Sequence, residues 1–310
     1  MSEDPEQPED ETHEDVLAAE STPPEVLAEE HPAAEPAPEP ELEVPVAAEP
    51  AAVAPVEPPE PEEPPAKQGE GWVETVKTIV YALLIALVIR TFLFQPFNIP
   101  SGSMEATLLV GDYVFVEKFS YGYSRASFPY RFPPFSGRVF GSAPTRGDVV
   151  VFKMPNPNDS HYMDDYIKRV IGLPGDRIQV INGIVYINDK PVPRVRAADH
   201  VETDEFGVTR NVPQYRETLP NGKSYLVLDR GASELDNTPV FLVPPGNYFM
   251  MGDNRDQSDD SRADVGYVPA EDLVGRAEMR FFSIDDSAVL FKPWTWPGAI
   301  RFSRMFTLVD

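Results

Sequence analysis

The chain contains no cysteine, which excludes disulfides, thiolate metal sites and cysteine nucleophiles. Histidine is almost as scarce: of four, His13 and His31 lie in the first 70 residues, leaving only His161 and His200. Chemistry that needs several imidazoles is therefore not expected. No basic stripe is present, and a formal net charge of −25 argues against a nucleic-acid partner. That charge is unevenly spread. Residues 1–70 hold 22 Asp and Glu against one base, Lys67, together with 16 of the 35 prolines and few large apolar side chains. Such a composition cannot bury enough surface to offset chain entropy, so a disordered acidic tail is expected, with no partner named by its sequence. The remaining 240 residues hold 29 acids and 25 bases, a near-neutral −4, and are enough for one large domain or two small ones.

Trp72 opens the segment WVETVKTIVYALLIALVIRTFLFQPF. Its uncharged apolar part, 78–89, has only 12 residues, but 73–94 gives 22, interrupted by Glu74, Lys77 and Arg90. Lys77 and Arg90 stand near the two ends, where long cationic side chains reach the headgroups, and Trp72, Phe92 and Phe94 are interface-type aromatics. A cleaved leader would begin at the extreme N-terminus. A single membrane anchor over 71–95 is expected, with a buried amphipathic helix as its alternative. The flanking charges do not fix its orientation.

After Pro96 the pattern changes to short β-like runs: 113–118, 148–153, 166–172, 177–181, 184–187, 225–228, 240–243, 248–251 and 274–282. Asn182-Gly183 between two of them predicts a two-residue hairpin. No convincing helix longer than two turns follows the anchor. Residues 188–240 are polar and weakly patterned, like an insertion into a β core. The class is mainly β, with a core of about 96–187 and 241–310 and an accessory region of about 188–240.

Three segments carry chemistry. In Pro100-Ser101-Gly102-Ser103-Met104-Glu105 a turn can present a hydroxyl with little cover, although Ser-Gly-Ser is also ordinary loop composition. In Asp165-Tyr166-Ile167-Lys168-Arg169-Val170, Lys168 lies in a β run with apolar alternate neighbours. Facing inward it would tend to lose its proton, as a general base must; facing outward it would be a solvated surface residue. Arg169 points to the opposite face by period-2 alternation, so Arg169→Lys is expected to be mild. Gly252-Asp253-Asn254-Arg255-Asp256-Gln257-Ser258-Asp259-Asp260-Ser261-Arg262 suggests a calcium loop, but Arg and Gln fall where ligands belong and Ser where Gly is needed. A loop of Asp–Arg pairs fits better, and neither metal nor cofactor is expected.

Taken together and in order, FxIPSGSM, RGDVVVFK, DYIKRVIGLPGD and PPGNYFMMGDNRDQSDDSR resemble the bacterial type I signal (leader) peptidases, Ser/Lys proteases of the inner membrane, over residues 72–310. The resemblance implies a coiled β-sheet or barrel catalytic domain with an inserted β subdomain. It implies Ser103 as nucleophile and Lys168 as base, with Ser101 and the Ser103 N–H forming the oxyanion hole. Ser258 would orient the Lys168 amine, and Asp260 and Arg262 would brace that loop. Phe97, Ile99, Pro100, Met104, Leu108, Val151, Asp165, Tyr166 and Ile167 would line shallow pockets for small residues at −1 and −3 of an exported precursor. It further implies a catalytic domain on the periplasmic side, an acidic tail in the cytoplasm, and contact with membrane lipid, to which Trp294 and Trp296 would add if they do not pack in the core. Ala106 departs from the Pro that many members carry there, and the tail has no counterpart in the family pattern.

The residues themselves agree with that reading. Acyl transfer needs a nucleophile, a base and an oxyanion site, and with so little His a lysine is the credible base. Two other readings use the same residues: a membrane-anchored β scaffold without activity, and a self-cleaving regulatory Ser/Lys protease. The second would carry a DNA-binding domain where this chain has an apolar span.

Overall fold

The computed structural model describes residues 71–132, 134–203, 208–285, 287–288 and 292–309, so the expected tail, 1–70, lies outside the described residues. Helix α1 (Gly71–Val88) has no buried residue and runs on into a π-helical stretch, Ile89–Leu93. Together Gly71–Leu93 is 23 residues, long and apolar enough to cross a membrane. A helix packed inside the domain is not what the structure holds. The helix ends because Pro96 follows: proline has no N–H to donate, and it disfavours helical geometry in the residue before it. Phe94 is already extended (φ −128°, ψ 134°), and its N–H closes the last wide turn on Ile89 O. The junction is clamped. Leu93 O accepts from the Lys118 N–H (2.9 Å), Phe92 O accepts from the Tyr123 hydroxyl (2.7 Å), and the Phe92 ring packs edge-on against Tyr123 and Phe128.

The strands in chain order are β1 (Phe94–Asn98), β2 (Asp112–Glu117), β3 (Val149–Lys153), β4 (Asp165–Gly172), β5 (Arg177–Ile181), β6 (Ile184–Ile187), β7 (Lys190–Pro191), β8 (Arg194–Arg196) and β9 (His200–Thr203). They continue as β10 (Thr209–Val212), β11 (Gln214–Thr218), β12 (Ser224–Leu228), β13 (Phe241–Leu242), β14 (Asn247–Met251), β15 (Val268–Pro269), β16 (Leu273–Ser283) and β17 (Thr307–Leu308). The class is mainly β, as expected. The main sheet has the order β1-β2-β16-β3-β4-β14-β15, with β17 on β16, and its pairs are antiparallel. Register shifts along β16 and in β14 bend it into a curl, as bulges do. Gly275 permits the closest approach in the sheet, since a Cβ there would meet Glu117 O at 2.4 Å.

Strand β3 shows why the curl is stable. Val149 and Val151 enter one core with Met104, Leu108, Val114 and Val274, while Val150 and Phe152 enter another with Val170, Met250 and Leu273. Both faces are dry, so the run reads as continuously apolar. Each such side chain contributes roughly 1.5–3 kcal/mol on burial.

The hairpin at Asn182-Gly183 is present, with positive φ at both residues (50° and 74°), the geometry of a type I′ turn. The sheet boundary differs from the expected one. β5 and β6, assigned above to the core, leave the main sheet and form a separate one of order β13-β5-β6-β7. Alternation identifies 177–187 as strands but carries no information on the sheet they join. Two further small sheets, β12-β11-β8 and β10-β9, make up the rest of the accessory part. Trp294 and Trp296 are exposed rather than packed in the core.

Candidate active site

Ser103 sits in the middle of a 3₁₀ turn, Gly102–Met104, immediately after β1. The approach is pinned by Ile99 N–H to Asp112 O (2.8 Å) and Gly111 N–H to Ile99 O (2.9 Å), and the Met104 side chain is fully buried beneath it. The loop after β14 holds the turn from the other side. Asn254 N–H donates to Ser103 O (3.1 Å), and Asn254 Nδ2 donates to Gly102 O (3.0 Å). A turn held from both sides leaves its serine little freedom.

Lys168, on β4, faces inward. It is 4% exposed, and its Nζ donates to Ser103 Oγ at 2.6 Å. Burial pushes the amine down to about 8, with Asp260, Asp259 and Asp253 working in the opposite direction. The Ser101 hydroxyl lies 3.5 Å from Ser103 Oγ.

Asp260 and Arg262 close the supporting loop on itself. Asp260 accepts from Gly252 N–H (3.1 Å) and from Arg262 Nε (3.0 Å) and Nη2 (2.8 Å), and Arg262 Nη2 also donates to Arg255 O (2.6 Å). Against the desolvation that would raise it, the Arg262 charge holds the Asp260 carboxyl below its ordinary range. Ser258 is different from expectation. Its hydroxyl is buried but hydrogen-bonds to none of the described residues, Lys168 included. It packs on Gly252, where a Cβ would come within 2.1 Å of it.

Arg169 requires a correction. It does point away from Lys168, but that face is as dry as the other. Arg169 is fully buried, donating to Asp253 through Nε (2.9 Å) and Nη2 (2.7 Å), to Gly147 O (2.8 Å) and to Thr107 Oγ1 (3.1 Å), with its guanidinium over the Tyr225 ring. A lysine cannot reproduce that fork, so Arg169→Lys is not a mild change. A second buried pair, Arg255 with Glu217 (Nη1 to Oε1 2.7 Å), ties the same loop to β11.

A cleft of about 440 Å³ opens over Ser103 and Lys168. Phe97, Ile99, Pro100, Val151, Asp165, Tyr166 and Ile167 line it, as the resemblance implies. Met104 and Leu108 do not: both are fully buried, packed in the core below with Ile99, Val114 and Val274. His161, Asp164, Gln257 and Asp259 line the cleft without having been singled out from the sequence. The first two belong to a short turn before β4 in which His161 Nδ1 lies 3.1 Å from Asp164 Oδ2, and their spacing of three was the available signal. Gln257 and Asp259 stood inside the acidic run already quoted.

Beyond this cleft, Glu105, His200 and Glu202 bring three potential ligand atoms within 4.8 Å. Arg230 already pairs with Glu202 and lies 3.7 Å from Glu105, which satisfies that charge without an ion.

The family profile described as "Signal peptidase, peptidase S26" matches residues 72–282. Signal peptidase I of Rickettsia typhi is 41% identical over 249 residues, covering 74% of this chain and 90% of that one. That of Rickettsia canadensis is 40% identical over 250 residues, covering 74% and 91%. Among solved structures, a signal peptidase I of Enterococcus faecalis is similar at 26% identity over 44% of this chain and 97% of that chain, with a TM-score of 0.26.

Proposed function

The chain belongs to the signal peptidase family, peptidase S26, and from that premise we propose that it is a membrane-anchored serine endopeptidase that removes signal peptides from exported precursors, with Ser103 as nucleophile and Lys168 as base. The observation that carries the assignment of roles is the 2.6 Å contact between the Lys168 amine and Ser103 Oγ inside a desolvated pocket. A neutral Lys168 accepts the Ser103 proton as Oγ attacks the scissile carbonyl carbon. The oxyanion forms beside the Ser101 hydroxyl and the Ser103 N–H, which lies in the first turn of a 3₁₀ helix and has no partner within it. Collapse expels the new N-terminal amine of the mature protein, which takes the proton from Lys168. Water, deprotonated by the Lys168 amine now neutral again, then attacks the acyl carbon and releases the signal peptide from Ser103. One base serves both halves.

The sheet supports the binding mode. β14 pairs with β4 only from Arg169 onward, so among the described residues 165–168 have one edge unpaired beside the cleft. An extended substrate adds as a strand on that edge, with the segment around Phe97–Pro100 on its other side. Side chains at −1 and −3 then meet Ile99, Val151, Tyr166 and Ile167, where small residues seat the carbonyl against Ser103 and bulky ones lift it away.

We read residues 96–310 as one peptidase domain on the periplasmic face of a bacterial inner membrane, 71–95 as its single span and 1–70 as a cytoplasmic tail. Ser103 is ten residues past Leu93, so the site lies near the bilayer surface, where a signal peptide presents its cleavage site. The test is incubation of the full chain in detergent with an exported precursor, wild type beside Ser103→Ala. Processing by the wild type alone is the expected result; processing by both, or by neither, overturns the assignment.

A further inference from the structure

A second cleft, of about 580 Å³, adjoins the first on the side of the anchor and shares Phe97 and Asp165 with it. Leu87, Arg90 and Thr91 at the end of the span form one wall, and Lys118, Arg131 and Lys153 stand on the domain side. Four cations face one acid, Asp165. Two of the four are already matched: Lys153 pairs with Asp165 at 2.9 Å and Arg131 lies 3.6 Å from Asp272.

The other two are not. Lys118 is 2% exposed, and its Nζ donates to the Ser127 carbonyl at 2.5 Å; among the described residues it has no carboxylate partner. A buried ammonium without an anion is costly. Burial first, and then the nearby Arg90 charge, push it down to about 8. The Arg90 side chain forms no hydrogen bond or ion pair with any described residue. The cleft thus holds two cations whose mutual repulsion one bound anion would relieve.

We infer that this cleft binds the phosphate of an anionic phospholipid headgroup, held by Arg90 and Lys118 at the point where the anchor meets the domain. The inference rests on reading Gly71–Leu93 as a membrane span. A lipid fits better than a free anion, because one wall is the end of the span itself, with Leu87 on the side of the acyl chains. Tyr130, also lining the cleft, is fully exposed, and Phe132 beside it nearly so, as side chains that meet an interface are. The overall field does not explain such binding: residues 71–310 carry −4 and the whole chain −25, so any preference for anionic lipid must come from a local site.

The test uses the full chain reconstituted in phosphatidylcholine bilayers containing about one-tenth phosphatidylglycerol, transferred to a mild neutral detergent, with retained lipid counted by native mass spectrometry. Preferential retention of one phosphatidylglycerol is expected. Arg90→Gln and Lys118→Met should each weaken it about tenfold, the effect of losing one charged contact, while Arg177→Gln, an exposed arginine on β5, should not. Arg90 is exposed, so its substitution leaves the domain folded even if Lys118→Met does not. Equal retention of the two lipids, or retention unmoved by Arg90→Gln, overturns the proposal. Displacement by millimolar inorganic phosphate reassigns the cleft to a free anion and overturns the lipid. Alkaline carbonate extraction of the same membranes separates the premise from the inference. Extractable protein removes the span and the proposal together, whereas anchored protein without lipid preference sinks the proposal alone.

Discussion

At the scale of single residues, proton inventory decides most outcomes. Lys168→Arg keeps the charge and much of the bulk, but a guanidinium does not give up its proton, so it should be as inactive as Lys168→Ala. Both, like Ser103→Ala, should lower turnover by on the order of 10⁴ or more, and Ser103→Ala should do so with its thermal midpoint little changed. Wild-type kcat/KM should rise with pH through about 8, where the buried amine loses its proton, rather than near the 10.5 of free lysine. An acidic limb at the free value would leave Lys168 a structural cation. Asp253→Ala should cost about 3–5 kcal/mol in chemical denaturation, because it strands Arg169 in a dry site. Arg169→Lys should cost about 2–3 kcal/mol through lost charged hydrogen bonds. Ser103 and Lys168 were legible because their order along the chain matches a family pattern. Arg169 was misjudged because alternation tells which face a side chain takes, not whether a second layer covers it.

Among the elements, the loop after β14 governs the geometry of the Ser103 turn. Gly252 has no room for a methyl group, since a Cβ would sit 2.1 Å from Ser258 Oγ and 2.5 Å from Ser103 O. Gly252→Ala should therefore displace the Ser103 turn by a fraction of an ångström and lower kcat by about 10²-fold with KM little changed. The turn Met104–Thr107 is of type II, closed by Thr107 N–H to Met104 O (3.0 Å), and Ala106 occupies its left-handed position at φ 93°. Proline cannot adopt that angle, so this turn differs in kind from one built on the family's Pro. Ala106→Gly should raise stability by about 1 kcal/mol in denaturant titration. The strands β2–β6, β12–β14 and β16 were readable from their apolar runs and the hairpin from Asn182-Gly183, whereas β1, β15 and β17 of the main sheet, short or interrupted by proline, were not. Strands β7–β11 of the small sheets were not, because they are short and polar and alternate weakly, and the ion pair between Arg255 and Glu217 was not, because no local periodicity records partners 38 residues apart.

For the molecule as a whole, anchor and domain contribute separately to stability. No residue of α1 is buried in the protein, so deleting 1–88 should leave the thermal midpoint of the domain in detergent within a few degrees of the full chain. The two desolvated lysines, Lys118 and Lys168, have folded values near 8 against about 10.5 when free. The folded state thus binds fewer protons than the unfolded one between those values. Their penalty is full below pH 8, shrinks as pH rises and is gone above 10.5, so their share of stability increases across that window. The passage from Ile89–Leu93 into β1 has a mechanical consequence. No loop intervenes, Phe92 and Leu93 are fastened to the domain, and β1 runs straight to the turn that bears Ser103. A thinner membrane that tilts this rod should therefore turn the sheet edge and shift Ser103 in height and angle above the lipid, so turnover should change between bilayers of different acyl-chain length.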